Sequence, residues 1–222
     1  LVNDKTKIIY LANPDNPTGT YFTKSEFDEF MPQIPSRVLV IMDEAYFEYA
    51  SSYVNYPDSM QYRYDNVITL RTFSKSYGLA GLRVGYGFAH HNIINNLMKV
   101  KLPFEPSIPA QEAAMAAMND SEHLTKTIEV NHAGKECILE ALNDLKIKFI
   151  PSSTNFITLI FKNKKKSIQF TDFMLQNGII VRHLDSFGLP ECVRVTIGTN
   201  VENKQYLKTL KKFKEINDWN KS

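Results

Sequence analysis

Apolar runs alternate with helix-like stretches through the first half of the chain. The runs that resemble strands are Lys7–Ala12, Arg37–Met42, Asn66–Leu70 and Val84–Ala89. A helix is predicted over Lys24–Met31, because Thr23 and Glu26 form the sequence pattern of a capping box before it. Short, uninterrupted apolar strands separated by helices are typical of a parallel sheet covered on both faces. The pattern therefore predicts an α/β fold.

The pattern changes after Pro103, where three prolines interrupt the chain. Beyond them we expect a helix to about Met118, further helices at His123–Leu145, Ser167–Asn177 and Val201–Ile216, and strands at Lys148–Ile150, Phe156–Phe161, Ile179–Arg182 and Val193–Ile197. This mixture indicates a second, α+β domain. We place the two domains at residues 1–105 and 106–222.

Composition and charge exclude several classes of function. The 26 basic and 24 acidic residues leave a net charge of +2, too balanced for a nucleic-acid partner, which needs clustered Lys and Arg. The sequence has no apolar stretch long enough to span a membrane. Neither the two cysteines nor the histidines have metal-ligand spacing, so we expect no metal site and a cytoplasmic location.

The chain begins abruptly, with Leu1 instead of Met and a buried-looking strand from Lys7. A chain that opens within a fold is typical of a fragment or a processed product, and we expect one here.

Three polar strings follow three of the predicted strands. They are Asn13-Pro-Asp-Asn-Pro-Thr-Gly19, Asp43-Glu-Ala-Tyr46 and Arg71-Thr-Phe-Ser-Lys75. Each string alone is as typical of structure as of function: the first of a turn, the second of a helix cap and the third of ordinary surface sequence. Open α/β sheets, however, bind ligands at the carboxyl ends of their strands. Together, the strings predict a binding site at that edge of the sheet.

Glycines cluster immediately after Lys75, at Gly78, Gly81, Gly85 and Gly87. Glycine permits positive φ angles and close approach of the backbone to a ligand. Arg83 lies within this cluster, and its guanidinium can hold a phosphate by two parallel hydrogen bonds. The segment therefore predicts a packed, phosphate-binding loop.

The strings NPDNPTG, DEAYFEY and TFSKSYGLAGLRVGY resemble the motifs of class I and II aminotransferases that depend on pyridoxal 5'-phosphate (PLP), and most closely those of histidinol-phosphate aminotransferases. The resemblance implies fold type I, with a mostly parallel large-domain sheet, here partial, a small C-terminal domain and a homodimer. It also implies site roles: Lys75 holds PLP as a Schiff base, Asp43 pairs with the ring nitrogen, Asn16 and Tyr46 bond the ring hydroxyl, and Thr72, Ser74 and Arg83 lie by the phosphate.

These roles agree with the chemistry of the cofactor. PLP withdraws electrons best when its ring nitrogen is protonated, and an anionic partner such as Asp43 favours that state. A lysine released by the incoming amine can move a proton between substrate and cofactor carbons. Lys75 would thus serve as anchor and then as base and acid.

Arg182 and Arg194 flank the turn at Gly188–Pro190. Taken alone, they are slightly more typical of surface arginines in salt bridges, which contribute little. The resemblance assigns them, with Asn16, to substrate binding. Two guanidiniums suit the dianion of a phosphate monoester. The implied reaction moves an amino group between L-histidinol phosphate and 2-oxoglutarate in histidine biosynthesis.

Two kinds of alternative function stay open. The chain could act on an aromatic or other amino acid, or decarboxylate phosphothreonine, within the same family. It could also be a catalytically inactive aminotransferase-like binding module. No segment matches the N-terminal portion that gives this family a helix start for the phosphate and an aromatic ring over the pyridine. Alone, we expect the chain to bind PLP weakly or not at all.

Overall fold

The computed structural model describes residues 1–62 and 64–216 of the chain. It divides into two compact units. The first comprises Leu1–Asp15 and Tyr21–Thr125, and the second comprises Asn16–Thr20 and Lys126–Ser222. No helix among the described residues is long and apolar enough to cross a membrane.

The first unit is built on a four-stranded sheet. Its strands and helices are β1 (Ile8–Ala12), α1 (Lys24–Phe30), β2 (Leu39–Asp43), α2 (Phe47–Ala50), β3 (Val67–Thr72), β4 (Gly85–Ala89), α3 (His91–Val100) and α4 (Ile108–Asn119). Thr23 and Glu26 form the predicted capping box at the start of α1. Such a cap contributes about 1 kcal/mol to helix stability.

The strand order is β1-β2-β3-β4, and the first three strands are parallel. In register, Ala12 lies beside Asp43, and Asp43 beside Leu70. Because β1, β2 and β3 run the same way, the residues that follow them emerge at one edge of the sheet. The expectation that the three polar strings begin at strand ends is therefore confirmed.

β4 departs from the all-parallel pattern, since it runs antiparallel to β3. A parallel return needs a long crossover, usually through a helix. Here the chain instead folds back on itself, with the Phe73 amide donating to the Val84 carbonyl at 3.2 Å. The sheet is mixed, although mostly parallel.

Two apolar clusters stabilise the first unit. One lies under α1, where Phe27, Met31, Val40 and Met42 are buried. The expected cover on both faces is incomplete among the described residues, because Ile8 and Tyr10 on β1 remain 56% and 57% exposed. The second cluster joins Phe73 and Val84 to α4 through Ala110 and Ala114.

The second unit packs helices against an antiparallel sheet of order β5-β6-β8-β7. Its elements are α5 (Ser121–Asp144), whose first five residues belong to the first unit, β5 (Phe149–Ile150), β6 (Phe156–Ile160), α6 (Lys164–Gln176), β7 (Arg182–His183), β8 (Cys192–Thr196) and α7 (Asn200–Ile216). Leu159, Phe170 and Leu210 are fully buried in its core. Burying one such side chain contributes about 1.5–3 kcal/mol.

The seventh strand lies later than predicted. We expected it at Ile179–Arg182, but the strand is Arg182–His183. The Ile179 amide donates to the Met174 carbonyl at 2.9 Å and Gly178 has a φ of +78°, so this stretch closes the end of α6. Ile180 is 87% exposed, although its apolar side chain had suggested a buried strand.

The division into units also differs from the domains at residues 1–105 and 106–222. The first unit extends to Thr125 and thus includes α4, which packs on Phe73 and Val84. The five residues Asn16–Thr20 group with the second unit. The proline-rich stretch therefore does not separate the two units.

Candidate active site

The first unit carries an open cleft at the carboxyl ends of β2 and β3. Its volume is about 330 Å³, and its lining includes Asp43, Thr72, Ser74, Lys75 and Arg83. We call these five residues the strand-end cleft. Five of the residues predicted for a cofactor are thus brought together.

Asp43 is held in the cleft by a hydrogen bond to each carboxylate oxygen. The Ala45 amide donates to Oδ1 at 3.0 Å, and the Tyr10 hydroxyl donates to Oδ2. Although much of Tyr10 is exposed, desolvation of its hydroxyl end and the Asp43 carboxylate raise the pKa of Tyr10 to about 12. The phenol therefore keeps the proton that it donates, and the carboxylate faces the cleft in a fixed orientation.

Lys75 lies in a loop that is anchored on both sides by buried residues. Phe73 and Ser76 are 2% and 1% exposed, whereas Lys75 itself is exposed. The Leu79 amide closes the loop by donating to the Phe73 carbonyl at 2.8 Å. Lys75 Nζ lies 5.5 Å from the centroid of the Tyr46 ring, and the described residues offer it no carboxylate partner. No ion pair among the described residues therefore restrains the amine.

Arg83 lines one side of the cleft. It has a φ of +53° at the end of a short 3-10 helix, Ala80–Leu82. Its Nη1 donates to the Ala80 carbonyl at 2.8 Å and reaches Ser74 Oγ at 3.5 Å. The Ser74 amide in turn donates to Thr72 Oγ1 at 3.1 Å. A guanidinium and two hydroxyls therefore converge, as an anion site requires.

Gly85 explains how β4 can begin so close to these hydroxyls. A Cβ at this position would lie 2.7 Å from the Arg71 carbonyl oxygen. The chain therefore needs a residue without a side chain where it turns back beside Thr72.

Glu44 and Arg71, which adjoin the site residues in sequence, form a separate buried network. The Arg71 guanidinium donates to Glu44 Oε2 at 2.8 Å and to Asp58 Oδ1 at 2.7 Å. Burial raises the pKa of Glu44, and its hydrogen bonds with Ser59 and Arg71 oppose that shift. This network holds the ends of β2 and β3 together. The polar strings therefore contain residues of the candidate site and residues that stabilise the fold.

The second unit holds the predicted substrate residues. Arg182 on β7 is the direct register partner of Arg194 on β8, so their side chains project from the same face of the sheet. We call them the arginine pair. Among the described residues, Arg182 has no hydrogen-bond or ion-pair partner.

Arg194 is oriented by two neighbours. Its Nη1 donates to Asn16 Oδ1, and its guanidinium carbon lies 4.8 Å from the centroid of the Phe156 ring. Because Asn16 Oδ1 accepts this bond, the Asn16 amide nitrogen is left to donate elsewhere. Asn16 thus groups with the arginine pair, and its predicted role at the ring hydroxyl stays a prediction.

The segment that carries Asn16 is fastened to the second unit. Thr158 Oγ1 donates to the Pro17 carbonyl at 2.6 Å, and the Ser153 amide donates to the Gly19 carbonyl at 2.8 Å. Thr158 is also the register partner of Arg194. One strand face therefore positions Asn16 and Arg194 together.

Sequence reasoning missed Tyr10, Phe156 and Thr158. Tyr10 could have been found from its position, because its hydroxyl group lies two residues before the end of β1, which pairs with β2. No local string marks Phe156 or Thr158, since only the pairing of β6 with β8 brings them to Arg194. In the part of the chain that the structure describes, no group of His, Cys, Asp and Glu is arranged to hold a metal ion.

Comparison with known proteins gives consistent matches. The family model described as aminotransferase class I and II matches residues 1–210. A histidinol-phosphate aminotransferase 2 of Carboxydothermus hydrogenoformans is 43% identical over 97% of this chain, and the chain spans 59% of that relative.

Solved structures of related enzymes are also similar to this chain. A histidinol-phosphate aminotransferase from Sinorhizobium meliloti, in complex with pyridoxal-5'-phosphate, is 28% identical with a TM-score of 0.84, over 93% of this chain and 58% of that one. An L-threonine-O-3-phosphate decarboxylase from Porphyromonas gingivalis is 25% identical with a TM-score of 0.80, over 96% of this chain and 66% of that one.

Proposed function

Because the chain belongs to the aminotransferase class I and II family, we propose that it binds PLP and transfers an amino group between L-histidinol phosphate and 2-oxoglutarate. The observation that carries the proposal is the strand-end cleft, where an exposed lysine, a fixed carboxylate and an arginine line one opening. The fold prediction is confirmed, since the chain has the mixed, mostly parallel α/β architecture of type I PLP-dependent aminotransferases.

The residues of the cleft fit PLP in the nature of their donors and acceptors. The cofactor has an aldehyde, a basic ring nitrogen and a phosphate, and each needs a different partner. The amine of Lys75, the carboxylate of Asp43 and the guanidinium of Arg83 supply the three. Thr72 and Ser74 would add hydroxyl donors to the phosphate, and Tyr46, whose ring lies near Lys75, would donate to the ring hydroxyl of PLP.

When bound, PLP supplies an electron sink that stabilises negative charge at the substrate α-carbon. Asp43 would hold a proton on the ring nitrogen, because its carboxylate is fixed by donors from Ala45 and Tyr10. Lys75 would first hold the cofactor and then move the proton that leaves the substrate α-carbon. An exposed amine without a carboxylate partner suits both tasks.

The arginine pair would select the substrate. A phosphate dianion accepts paired hydrogen bonds from guanidiniums. Arg182 has no partner among the described residues and projects from the same face as Arg194, so an anion can join the two. Relatives called histidinol-phosphate aminotransferase at 43% identity support a phosphate monoester as that anion.

Competing amino donors test the proposal. In the complete, PLP-loaded enzyme with 2-oxoglutarate as acceptor, we expect kcat/KM for L-histidinol phosphate to exceed that for L-phenylalanine by about 10²-fold or more. Arg182→Gln should reduce this preference, whereas Arg37→Gln, an exposed arginine of the first unit, should leave it unchanged. A preference for phenylalanine in the unmodified enzyme would contradict the proposal.

A second candidate function is decarboxylation of L-threonine O-3-phosphate, which the likeness to a decarboxylase of that substrate favours. Carbon dioxide release from this compound, without any need for 2-oxoglutarate, would establish it. Amino transfer that depends on 2-oxoglutarate and releases no carbon dioxide would exclude it. A homodimer and a cytoplasmic location belong to the leading proposal.

A further inference from the structure

We infer that His183, together with Ser167, is a positioning residue that holds Arg182 in place for phosphate recognition. The inference rests on the proposed function, because it assigns a role to a neighbour of the proposed substrate site. It starts from the shortness of β7, which contains only Arg182 and His183 and lies at the edge of its sheet. So short an edge strand has few backbone hydrogen bonds to fix it.

Three polar atoms meet on the side of β7 that His183 faces. Ser167 Oγ lies 2.9 Å from His183 Nε2 and 2.6 Å from the Pro190 carbonyl oxygen. His183 Nε2 lies 2.9 Å from the same carbonyl. Ser167 is fully buried near the start of α6. The cluster therefore joins α6, β7 and the turn before β8.

One arrangement of hydrogen atoms gives each of these polar groups a partner. The Pro190 carbonyl can only accept, so His183 Nε2 must carry a hydrogen to bond with it. The Ser167 hydroxyl can then donate to the Pro190 carbonyl or to the Lys164 carbonyl, which lies 2.8 Å away. The Nε2–H form of the imidazole satisfies all of these groups, whereas the other neutral tautomer leaves Nε2 without a hydrogen for Pro190.

The cluster acts on Arg182 through the geometry of a strand. Successive side chains of a strand point to opposite faces. With His183 held on one face, Arg182 is directed to the other, where its register partner is Arg194. The turn that follows is itself closed, since the Leu184 amide donates to the Cys192 carbonyl at 3.1 Å. Loss of the imidazole would thus free the backbone of Arg182 without touching the guanidinium.

A set of variants of the PLP-loaded enzyme tests the inference. His183→Ala should raise KM for L-histidinol phosphate about 10-fold while changing kcat by less than about 2-fold, because misplacement of one anion contact weakens substrate binding before it affects the reacting centre. The constant for competitive inhibition by inorganic phosphate should rise in parallel. Ser167→Ala should give a smaller change in the same direction.

His183→Gln is the decisive variant, because its amide keeps an N–H donor near the position of Nε2. We expect it to restore KM and the phosphate inhibition constant to near the original values. His132→Ala, an exposed histidine on α5, serves as the matched control and should change neither constant. If His183→Gln were as impaired as His183→Ala while both had an unchanged melting temperature, the inference would be wrong.

Arg182→Ala separates this inference from the function on which it rests. If Arg182→Ala leaves the phosphate inhibition constant unchanged, the proposed substrate site fails. If Arg182→Ala weakens phosphate binding but His183→Ala does not, only the positioning role fails. Should His183→Ala not fold, Ser167→Ala and His183→Gln still give the comparison.

Discussion

The strand-end cleft and the arginine pair are built by different means. The cleft collects residues from the last positions of β2 and β3 and from the loop that follows β3, so neighbouring residues of one string, such as Thr72, Ser74 and Lys75, enter it together. The arginine pair depends on antiparallel register, which places Arg182 opposite Arg194 and Arg194 opposite Thr158. Residues that lie in one contiguous string can be identified from the sequence. Partners that are set by strand register can be identified only when the pairing of the strands is known.

The difference extends to how the charged groups are held. In the cleft, backbone and phenol donors fix Asp43, and Lys75 stays exposed. In the second unit, Arg194 is held by Asn16 and by the Phe156 ring, whereas the guanidinium of Arg182 has no hydrogen-bond or ion-pair partner among the described residues. We therefore expect changes in the cleft to affect the cofactor, and changes near the arginine pair to affect the anionic substrate.

The largest expected effect comes from removing the amine of Lys75. Lys75→Ala in the PLP-loaded enzyme should lower kcat by about 10²–10⁴-fold, the usual contribution of a general acid and base. Borohydride reduction followed by mass spectrometry should find covalent cofactor in the unmodified protein and none in the variant. Inhibition of residual activity by inorganic phosphate should persist, since the arginine pair is untouched.

Lys99→Ala is the control for that experiment. Lys99 lies on α3, where its amine donates to the Asn96 side chain at 2.9 Å, and it takes no part in the cleft. The variant should keep both the covalent cofactor and kcat. Covalent cofactor that maps to Lys99, or that survives in Lys75→Ala, would reverse our assignment of the anchor.

The cleft was the more predictable of the two regions for a physical reason. Strand ends, glycines and polar strings are local features, and parallel strands bring them to one edge without further information. Lys75, Asp43 and Arg83 could therefore be named in advance, and the structure brings them into one cleft. Their chemical roles were not visible in the sequence alone and came from the family resemblance.

What could not be predicted depends on tertiary pairing. Tyr10 reaches Asp43 only because β1 lies beside β2. The reversal of β4 and the late start of β7 are set by loops whose closure has no simple sequence pattern. The grouping of Asn16–Thr20 with the second unit likewise follows from bonds to Ser153 and Thr158.

A substitution at Gly19 tests how strongly the segment Asn16–Thr20 is held by its contact with Ser152. Gly19 has a φ of +80°, and an added Cβ would lie 2.2 Å from Ser152 Oγ. Gly19→Ala should therefore lower the free energy of unfolding by about 2 kcal/mol or more, from backbone strain and crowding together. Urea denaturation followed by circular dichroism measures the change.

Gly178 offers a matched control, because its φ of +78° is almost the same but nothing lies within 4 Å of an added Cβ. Gly178→Ala should lower the free energy of unfolding by only about 1 kcal/mol, the cost of a left-handed backbone for alanine. An equal loss in the two variants would mean that the contact with Ser152 does not constrain the segment.

Tyr10 allows a finer test of the cleft. Tyr10→Phe removes one donor to Asp43 and keeps the ring, so we expect the dissociation constant of PLP from the complete enzyme to rise about 3- to 10-fold, since a hydrogen bond partly open to water contributes about 1 kcal/mol. An absorbance titration with PLP measures this. Tyr53→Phe, whose ring packs on Tyr21, should have no effect. A similar weakening in both variants would argue against a specific role for Tyr10.

The last prediction concerns stability and Lys135, a lysine that is buried, whereas Lys75 is exposed. Lys135 is 7% exposed, and its amine donates to the Ser152 carbonyl at 3.1 Å. Burial lowers the pKa of Lys135 from 10.5 to about 8. Between these values the unfolded chain binds more protons than the folded one, so stability should rise as the pH increases from about 8 to about 10.

Lys135→Met should abolish that rise and, at about pH 7, should raise the free energy of unfolding by about 1 kcal/mol, because the cost of burying the charge exceeds the single hydrogen bond that is lost. Urea denaturation at about pH 7 and about pH 10 measures both effects. Lys126→Met, an exposed lysine on the same helix, should keep the pH dependence. A Lys135→Met protein that is less stable at both pH values would show that the hydrogen bond to Ser152 outweighs the buried charge.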